Sequence, residues 1–144
     1  MRAPALLLLA AVGTGALVAA RPAPARAARH RDVAEVTIGA KCLAPGESRI
    51  VVTPDTLVIA QGESVSWAIE ANSRVEAIAI RPKNQRSWLF EERPPYTGTR
   101  TTPAVASRMR ADARGRYSYN VTVTCRDSTG QTWMETLDPD IIVN

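Results

Sequence analysis

Few side chains in this chain are of the types that catalysis or metal binding requires. The 144 residues include one histidine, His30, and two cysteines, Cys42 and Cys125. A histidine-rich metal site, a Ser-His-Asp triad and a Cys-His nucleophile pair all depend on imidazole groups that this composition does not supply. The composition therefore argues against the common hydrolase sites and against metal sites built from several histidines.

Two pairs of carboxylates are the remaining candidates for catalysis. Glu91 is adjacent to Glu92, and Asp138 is separated from Asp140 by one residue. Paired carboxylates can carry out glycoside hydrolysis. Carboxylates this close in sequence are usually solvated loop charges, and three Trp, three Tyr and one Phe offer few rings for a sugar-binding cleft. We therefore expect no enzymatic activity and no catalytic residues.

The first 27 residues have the pattern of a secretory signal peptide. Arg2 supplies a positive start, an apolar run of 16 residues follows from Ala5 to Ala20, and Ala25 and Ala27 form an A-x-A cleavage pattern. The run is shorter than the roughly 18 to 20 residues that span a membrane. We expect cleavage before Ala28, a periplasmic or secreted mature chain, and no membrane span within it.

Removal of this leader changes the charge of the protein. The whole chain carries 18 basic and 14 acidic residues, but three of the arginines precede Ala28, which leaves 15 bases against 14 acids in residues 28–144. A net charge this close to zero is not the electrostatic signature of nucleic-acid binding. We expect no nucleic-acid partner.

Cleavage before Ala28 would also create a metal-binding sequence, Ala28-Arg29-His30, at the new amino terminus. A free α-amine, two backbone amides and an imidazole at the third position form a square-planar nitrogen set that suits Cu(II) or Ni(II). Chance is the simpler explanation for the position of His30. The motif nevertheless keeps copper open as a ligand.

The two cysteines have two interpretations in an exported protein. An oxidising compartment permits a disulfide between Cys42 and Cys125, which would enclose 82 residues. The alternative is a thiol that serves as a soft metal ligand. Because no second histidine and no other soft ligand lies nearby in sequence, we favour the disulfide.

The rest of the chain reads as short strands separated by turns. Alternation places Val65, Trp67 and Ile69 on one strand face, and it places Glu76 with Ile78 and Ile80 on another. The clearest strand follows Gly115, where one face carries Tyr117, Tyr119, Val121, Val123 and Cys125. The spacing predicts an all-β fold, a single antiparallel Greek-key β-sandwich of about 7–8 strands in residues 28–144.

Two segments are candidates for contact with a partner. The proline-rich stretch from Pro82 to Pro103 has room for a short helix near Ser87–Glu92, and we expect Trp88 to be its exposed contact residue. The second segment carries four arginines at positions 108, 110, 114 and 116. We expect Arg108 and Arg110 to share a strand face, and Arg114 and Arg116 to flank a turn at Gly115. The four bases either meet an acidic partner or a phosphate-bearing surface, or only keep an edge strand polar.

The sequence also resembles the cupredoxins. PDTLVIAQGESVSW at residues 54–67 is similar to their early strand, Gly-Glu turn and V-x-W strand, and GRYSY at 115–119 is similar to the strand before their copper-binding cysteine. The resemblance runs from about Ala34 to the carboxyl terminus. It implies a plastocyanin- or azurin-type cupredoxin-like sandwich.

The copper ligands that the resemblance implies are missing. A type 1 site needs two imidazoles and a thiolate, with a weak axial sulfur. The position of the first family histidine falls near Glu76, the cysteine position is Val121, and the later histidine position lies within 124–127. Cys125 comes four residues late, and Met134 is more consistent with packing than with an axial ligand. The resemblance implies a domain without its copper, in which Val121 is buried beside residues near Glu76.

Two functions follow from these observations. The first is an exported, non-catalytic binding or accessory module that needs no cofactor and contacts a protein partner through Pro82–Pro103 and the arginines. The second is a periplasmic copper-handling protein that uses a weak or amino-terminal site.

Overall fold

The computed structural model describes residues 32–144. The predicted signal peptide and the Ala28-Arg29-His30 sequence lie outside these residues. Ten strands form the described part of the chain: β1 (Val33–Lys41), β2 (Arg49–Thr53), β3 (Thr56–Ile59), β4 (Ser64–Ile69), β5 (Val75–Pro82), β6 (Tyr96–Thr99), β7 (Ala104–Ala106), β8 (Gly115–Arg126), β9 (Thr132–Leu137) and β10 (Asp140–Val143). The all-β class is therefore confirmed.

The strands make two sheets. One has the order β2-β1-β4-β7, and the other has the order β3-β10-β8-β5-β6, with β9 also paired to β8. Both sheets are mixed, because β1 is parallel to β4 and β10 is parallel to β3. The expectation of a purely antiparallel sandwich with 7–8 strands is corrected on these two points.

Interrupted strands account for the higher count. Residues 54 and 55 separate β2 from β3, and the chain passes there from the edge of one sheet to the edge of the other. Residues 138 and 139 separate β9 from β10, and both of these strands pair with the same long strand, β8. Each interruption includes a proline, which supplies no backbone N–H for a sheet ladder.

Alternating apolar residues fill the space between the sheets. Val65, Trp67 and Ile69 are buried in β4, and every second residue of β8 from Tyr119 to Cys125 is buried, as the pattern predicts. The Trp67 ring stacks on Tyr96 at 5.9 Å, and its Nε1 donates a hydrogen bond to the Tyr119 hydroxyl at 3.3 Å. These rings therefore pack the strands of both sheets together.

The helix expected near Ser87–Glu92 does not form. The residues there make turns, and Phe90 forms an isolated bridge with Met109. Trp88, Leu89 and Phe90 are all buried, because this segment folds inward to cover the aromatic core. The described part of the chain contains no helix that could span a membrane.

Candidate functional site

The position expected for a copper-binding histidine is turned away from the core. A β-bulge between Val75 and Ala77 buries Val75 and shifts the alternation, so Glu76 does not share the buried face of Ile78 and Ile80. The Glu76 carboxylate instead pairs with Arg126, with 2.6 Å between Oε1 and Nε. The prediction that Glu76 shares a face with Ile78 and Ile80 is therefore wrong, because the bulge shifts the alternation.

Val121 is fully buried, as expected, but its neighbours differ from the expected ones. Its partners are Ile80 in β5 and Leu137 in β9, whereas Cys125 lies opposite Val75, next to Glu76. The strand extends four residues beyond Val121 before it reaches this level of the sheet. The residue of β8 that lies beside Glu76 is therefore Cys125 and not Val121.

The sulfur of Cys125 is bonded to Cys42, so the predicted disulfide is confirmed. Cys42 follows β1 in one sheet and Cys125 lies in β8 of the other, so the bond joins the two sheets. Met134, interpreted from the sequence as a packing residue, is 72% exposed in β9. No group of three or more His, Cys, Asp or Glu side chains in residues 32–144 is placed to hold a metal ion.

These residues do not fit type 1 copper. The Cys125 sulfur already has a partner, the Glu76 carboxylate is held by Arg126, and no histidine lies within residues 32–144. A type 1 ion needs a free thiolate and two imidazoles in one plane. Residues 32–144 therefore hold no ligand set for the copper that cupredoxins bind.

The two carboxylate pairs do not converge. Glu92 Oε1 accepts hydrogen bonds from the backbone N–H groups of Ser107 at 3.1 Å and Arg108 at 2.8 Å, and from the Ser107 hydroxyl at 2.9 Å. Burial acts to raise the pKa of Glu92, but these hydrogen bonds outweigh it and the net pKa is lowered. Glu92 is therefore a structural carboxylate that ties two loops together.

Asp138 and Asp140 also have local partners. Asp138 pairs with Lys83 at 2.9 Å, and Asp140 accepts a hydrogen bond from the Ser118 hydroxyl at 2.6 Å and pairs with Arg116 at 3.4 Å. Each carboxylate thus neutralises a separate base.

The four arginines of the 108–116 stretch do not form one face. Arg108 pairs with Glu92 at 3.5 Å, and Arg110 pairs with Asp112 at 2.8 Å. Neither residue lies in a strand, so the expectation that they share a strand face is wrong. Arg114 and Arg116 lie on either side of Gly115, as expected, where β8 begins.

Trp88 is 3% exposed, so its predicted role as an exposed contact residue is also wrong. Its Nε1 donates to the Tyr96 hydroxyl at 2.9 Å, which in turn donates to the Glu92 carbonyl at 2.7 Å. Burial raises the pKa of Tyr96 to about 12. Trp88 is fixed by these bonds and by an edge contact with Tyr117 at 6.2 Å.

One cleft nevertheless unites the two segments that the sequence singles out. It has a volume of about 500 Å³, and we call it the basic–aromatic cleft. Residues of the proline-rich stretch line one side and the start of β8 lines the other: Lys83, Asn84, Ser87, Trp88, Arg114, Arg116, Tyr117, Ser118. The predicted contact segments are therefore neighbours in space.

The cleft combines three basic side chains with the partly buried ring of Tyr117. Lys83 and Arg116 are 46% and 64% exposed, and each is paired with a single aspartate. Arg114 donates to the carbonyl of Ala113 at 2.6 Å and to the side chain of Gln61. Lys83 and Arg116 can exchange their aspartates for the carboxylates of an incoming molecule at modest cost, because exposed ion pairs are weak. Arg114 has only neutral acceptors, so its charge is not neutralised by these contacts.

Sequence reasoning identified Trp88, Arg114 and Arg116 of this cleft but missed Lys83 and Ser118. Lys83 donates its backbone N–H to the Ser118 carbonyl at 3.1 Å, which continues the pairing of β5 with β8 beyond the ends of the regular ladder. This pairing joins positions far apart in sequence. Knowledge of the pairing register of β5 with β8 would have placed Lys83 opposite Ser118.

In comparisons with known proteins, no protein-family model matches the chain, and no curated protein is significantly similar to it.

Proposed function

We propose that residues 28–144 form an exported, non-catalytic binding module of cupredoxin-like fold without a type 1 copper site, and that the basic–aromatic cleft binds an acidic segment of a protein partner. The observation that carries this proposal is the convergence of Lys83, Arg114 and Arg116 on one cleft beside the partly buried ring of Tyr117.

Charge supports an acidic partner. The three bases line one cleft, and the acids that pair with two of them, Asp138 and Asp140, do not line it. A carboxylate that enters the cleft meets bidentate donors on the arginines, which suit carboxylate geometry. The partly buried Tyr117 ring lies beside these bases and offers an apolar surface to the same segment.

Three observations support the remainder of the proposal. The disulfide between Cys42 and Cys125 is typical of an oxidising compartment, which agrees with an export leader. The segments that resemble cupredoxins lie in β3–β4 and at the start of β8, and these strands belong to both sheets. The position beside Glu76 holds a cystine sulfur, which favours a domain that works without copper.

A binding titration with charge-matched variants tests the proposal. The probe is a glutamate-rich synthetic peptide, with a lysine-rich peptide for comparison. Arg114→Gln and Arg116→Gln should each weaken glutamate-peptide binding roughly two- to fivefold. Arg93→Gln removes the same charge from an exposed residue outside the cleft and should leave the affinity unchanged. Equal affinities for the three variants would contradict the proposed site.

A further inference from the structure

A second group of basic residues lies at the other end of β8. Arg74 precedes β5, Arg100 follows β6 and Arg126 ends β8, so these three arginines meet at one end of the sheet. They line an open cleft of about 660 Å³ together with Glu76, Asp127 and Ser128, and we call it the arginine cleft. The two clefts lie towards opposite ends of β8, whose 12 residues span roughly 36 Å.

Arg100 is held in place by the backbone. Its Nε donates to the Val75 carbonyl and its Nη2 donates to the Ser73 carbonyl, both at 2.8 Å. These bonds fix the guanidinium plane and leave Nη1 as a donor. An anion that binds here does not have to immobilise a free side chain, which reduces the entropic cost of binding.

The other two arginines keep unused donors. Arg126 pairs with Glu76 through Nε, while its Nη nitrogens make no hydrogen bond within residues 32–144. Arg74 is exposed and has no hydrogen-bond or ion-pair partner in the described part of the chain. The cleft thus presents guanidinium donors from three different segments.

The second acid of the cleft, Asp127, is already hydrogen-bonded to neighbouring residues of the chain. Asp127 Oδ1 accepts hydrogen bonds from the backbone N–H groups of Thr129 at 2.8 Å and Gln131 at 2.9 Å, and from the Thr129 hydroxyl at 2.7 Å. These bonds, the one from the Thr129 hydroxyl above all, lower the pKa of Asp127. Of the two acids that line the cleft, only Glu76 is paired with one of its arginines, so Glu76 is the carboxylate that competes directly with an external anion.

We propose that the arginine cleft is a binding site for a compact oxyanion, a phosphate or sulfate group. Guanidinium groups bind these anions through paired, charge-assisted hydrogen bonds. In this arrangement Arg100 is the fixed donor, Arg74 the free one, and Arg126 is shared between the anion and Glu76.

The test is a titration of the mature protein with inorganic phosphate and with sulfate, followed through the arginine Nε–Hε NMR signals. The signals of Arg100 and Arg126 should shift saturably. Arg74→Gln should weaken binding roughly two- to fivefold. Glu76→Gln should strengthen it by a similar factor, because it removes the internal competitor. A gain in affinity cannot arise from loss of folding.

Controls separate this site from the basic–aromatic cleft. Arg116→Gln and Arg93→Gln should leave phosphate binding unchanged, since neither residue lines the arginine cleft. Glucose 6-phosphate distinguishes the source of the anion: binding as tight as that of inorganic phosphate indicates a phosphate carried on a larger molecule, and weaker binding indicates the free ion. No saturable shift, or equal affinities for Arg74→Gln, Glu76→Gln and Arg116→Gln, would overturn the proposal.

Discussion

Cys42 is bonded to Cys125 across the interior of the sandwich, with their Cα atoms 5.6 Å apart. Cys42 directly follows β1, and Cys125 lies at full burial near the end of β8 in the opposite sheet. The bond therefore fastens the first strand to the longest strand of the other sheet.

Loss of this bond should destabilise the domain. The two cysteines are 83 positions apart, so their connection restricts a long loop of the unfolded chain. The free energy of unfolding should fall by about 2 to 4 kcal/mol on reduction. Urea denaturation with and without a reductant measures the difference, and a thiol assay of unreduced, denatured protein should find no free thiols. Identical urea midpoints would show that the bond contributes no stability.

Val121 should not tolerate a charge. Its side chain is fully buried between the sheets, so Val121→Asp places a carboxylate where no base is available to pair with it. We expect unfolding to become easier by roughly 3 kcal/mol or more. Thr122→Asp is the matched control, because Thr122 is the next residue of β8 and is only partly buried. Equal melting temperatures for the two variants would contradict the strand orientation.

The stability should also decline in alkaline solution. Burial raises the pKa of Tyr96 and of Tyr119 to about 12, from an ordinary value of 10.0. A raised pKa in the folded state means that the stabilising contribution is complete below about pH 10 and disappears as the pH approaches about 12. Urea midpoints should fall across this range while tyrosinate absorbance rises with unfolding. Ionisation of all tyrosines near pH 10 in the folded protein would contradict the burial of both rings.

The strand pattern was predictable because it is a local property. The alternation of Val65, Trp67 and Ile69, and that of the strand after Gly115, requires only that one face be apolar. Partner choice depends on contacts between distant residues. The parallel pairing of β1 with β4 and the bulge at Glu76 could therefore not be read from either segment alone.

The candidate site was predictable in part for the same reason. The arginines at 114 and 116 and the proline-rich segment were identified by composition, but their meeting in one cleft depends on the pairing of β5 with β8. The sequence around Trp88 does not predict its burial, because the prolines there interrupt the apolar alternation that marks a buried face. Its burial follows from the packing of its ring against Tyr117, Tyr119 and Phe90.

Copper should not stabilise the domain through the position that the family resemblance assigns to it. Cys125 is held in a disulfide and Glu76 is paired with Arg126. A mature chain carrying His30→Ala, which removes the possible amino-terminal site, should develop no intense blue band with Cu(II), and its melting temperature should not rise. A copper-dependent rise that Glu76→Gln abolishes would support the copper-handling alternative instead.

The most direct test of the central claim is an NMR titration of the mature protein with the glutamate-rich peptide. The backbone amides of Arg114 and Arg116 and the indole N–H of Trp88, which is bonded to Tyr96, should shift together and saturate. Added salt should weaken the effect, since the attraction is between exposed charges. Saturable shifts confined to another surface, or no saturable shifts at all, would contradict the assignment of the basic–aromatic cleft as the binding site.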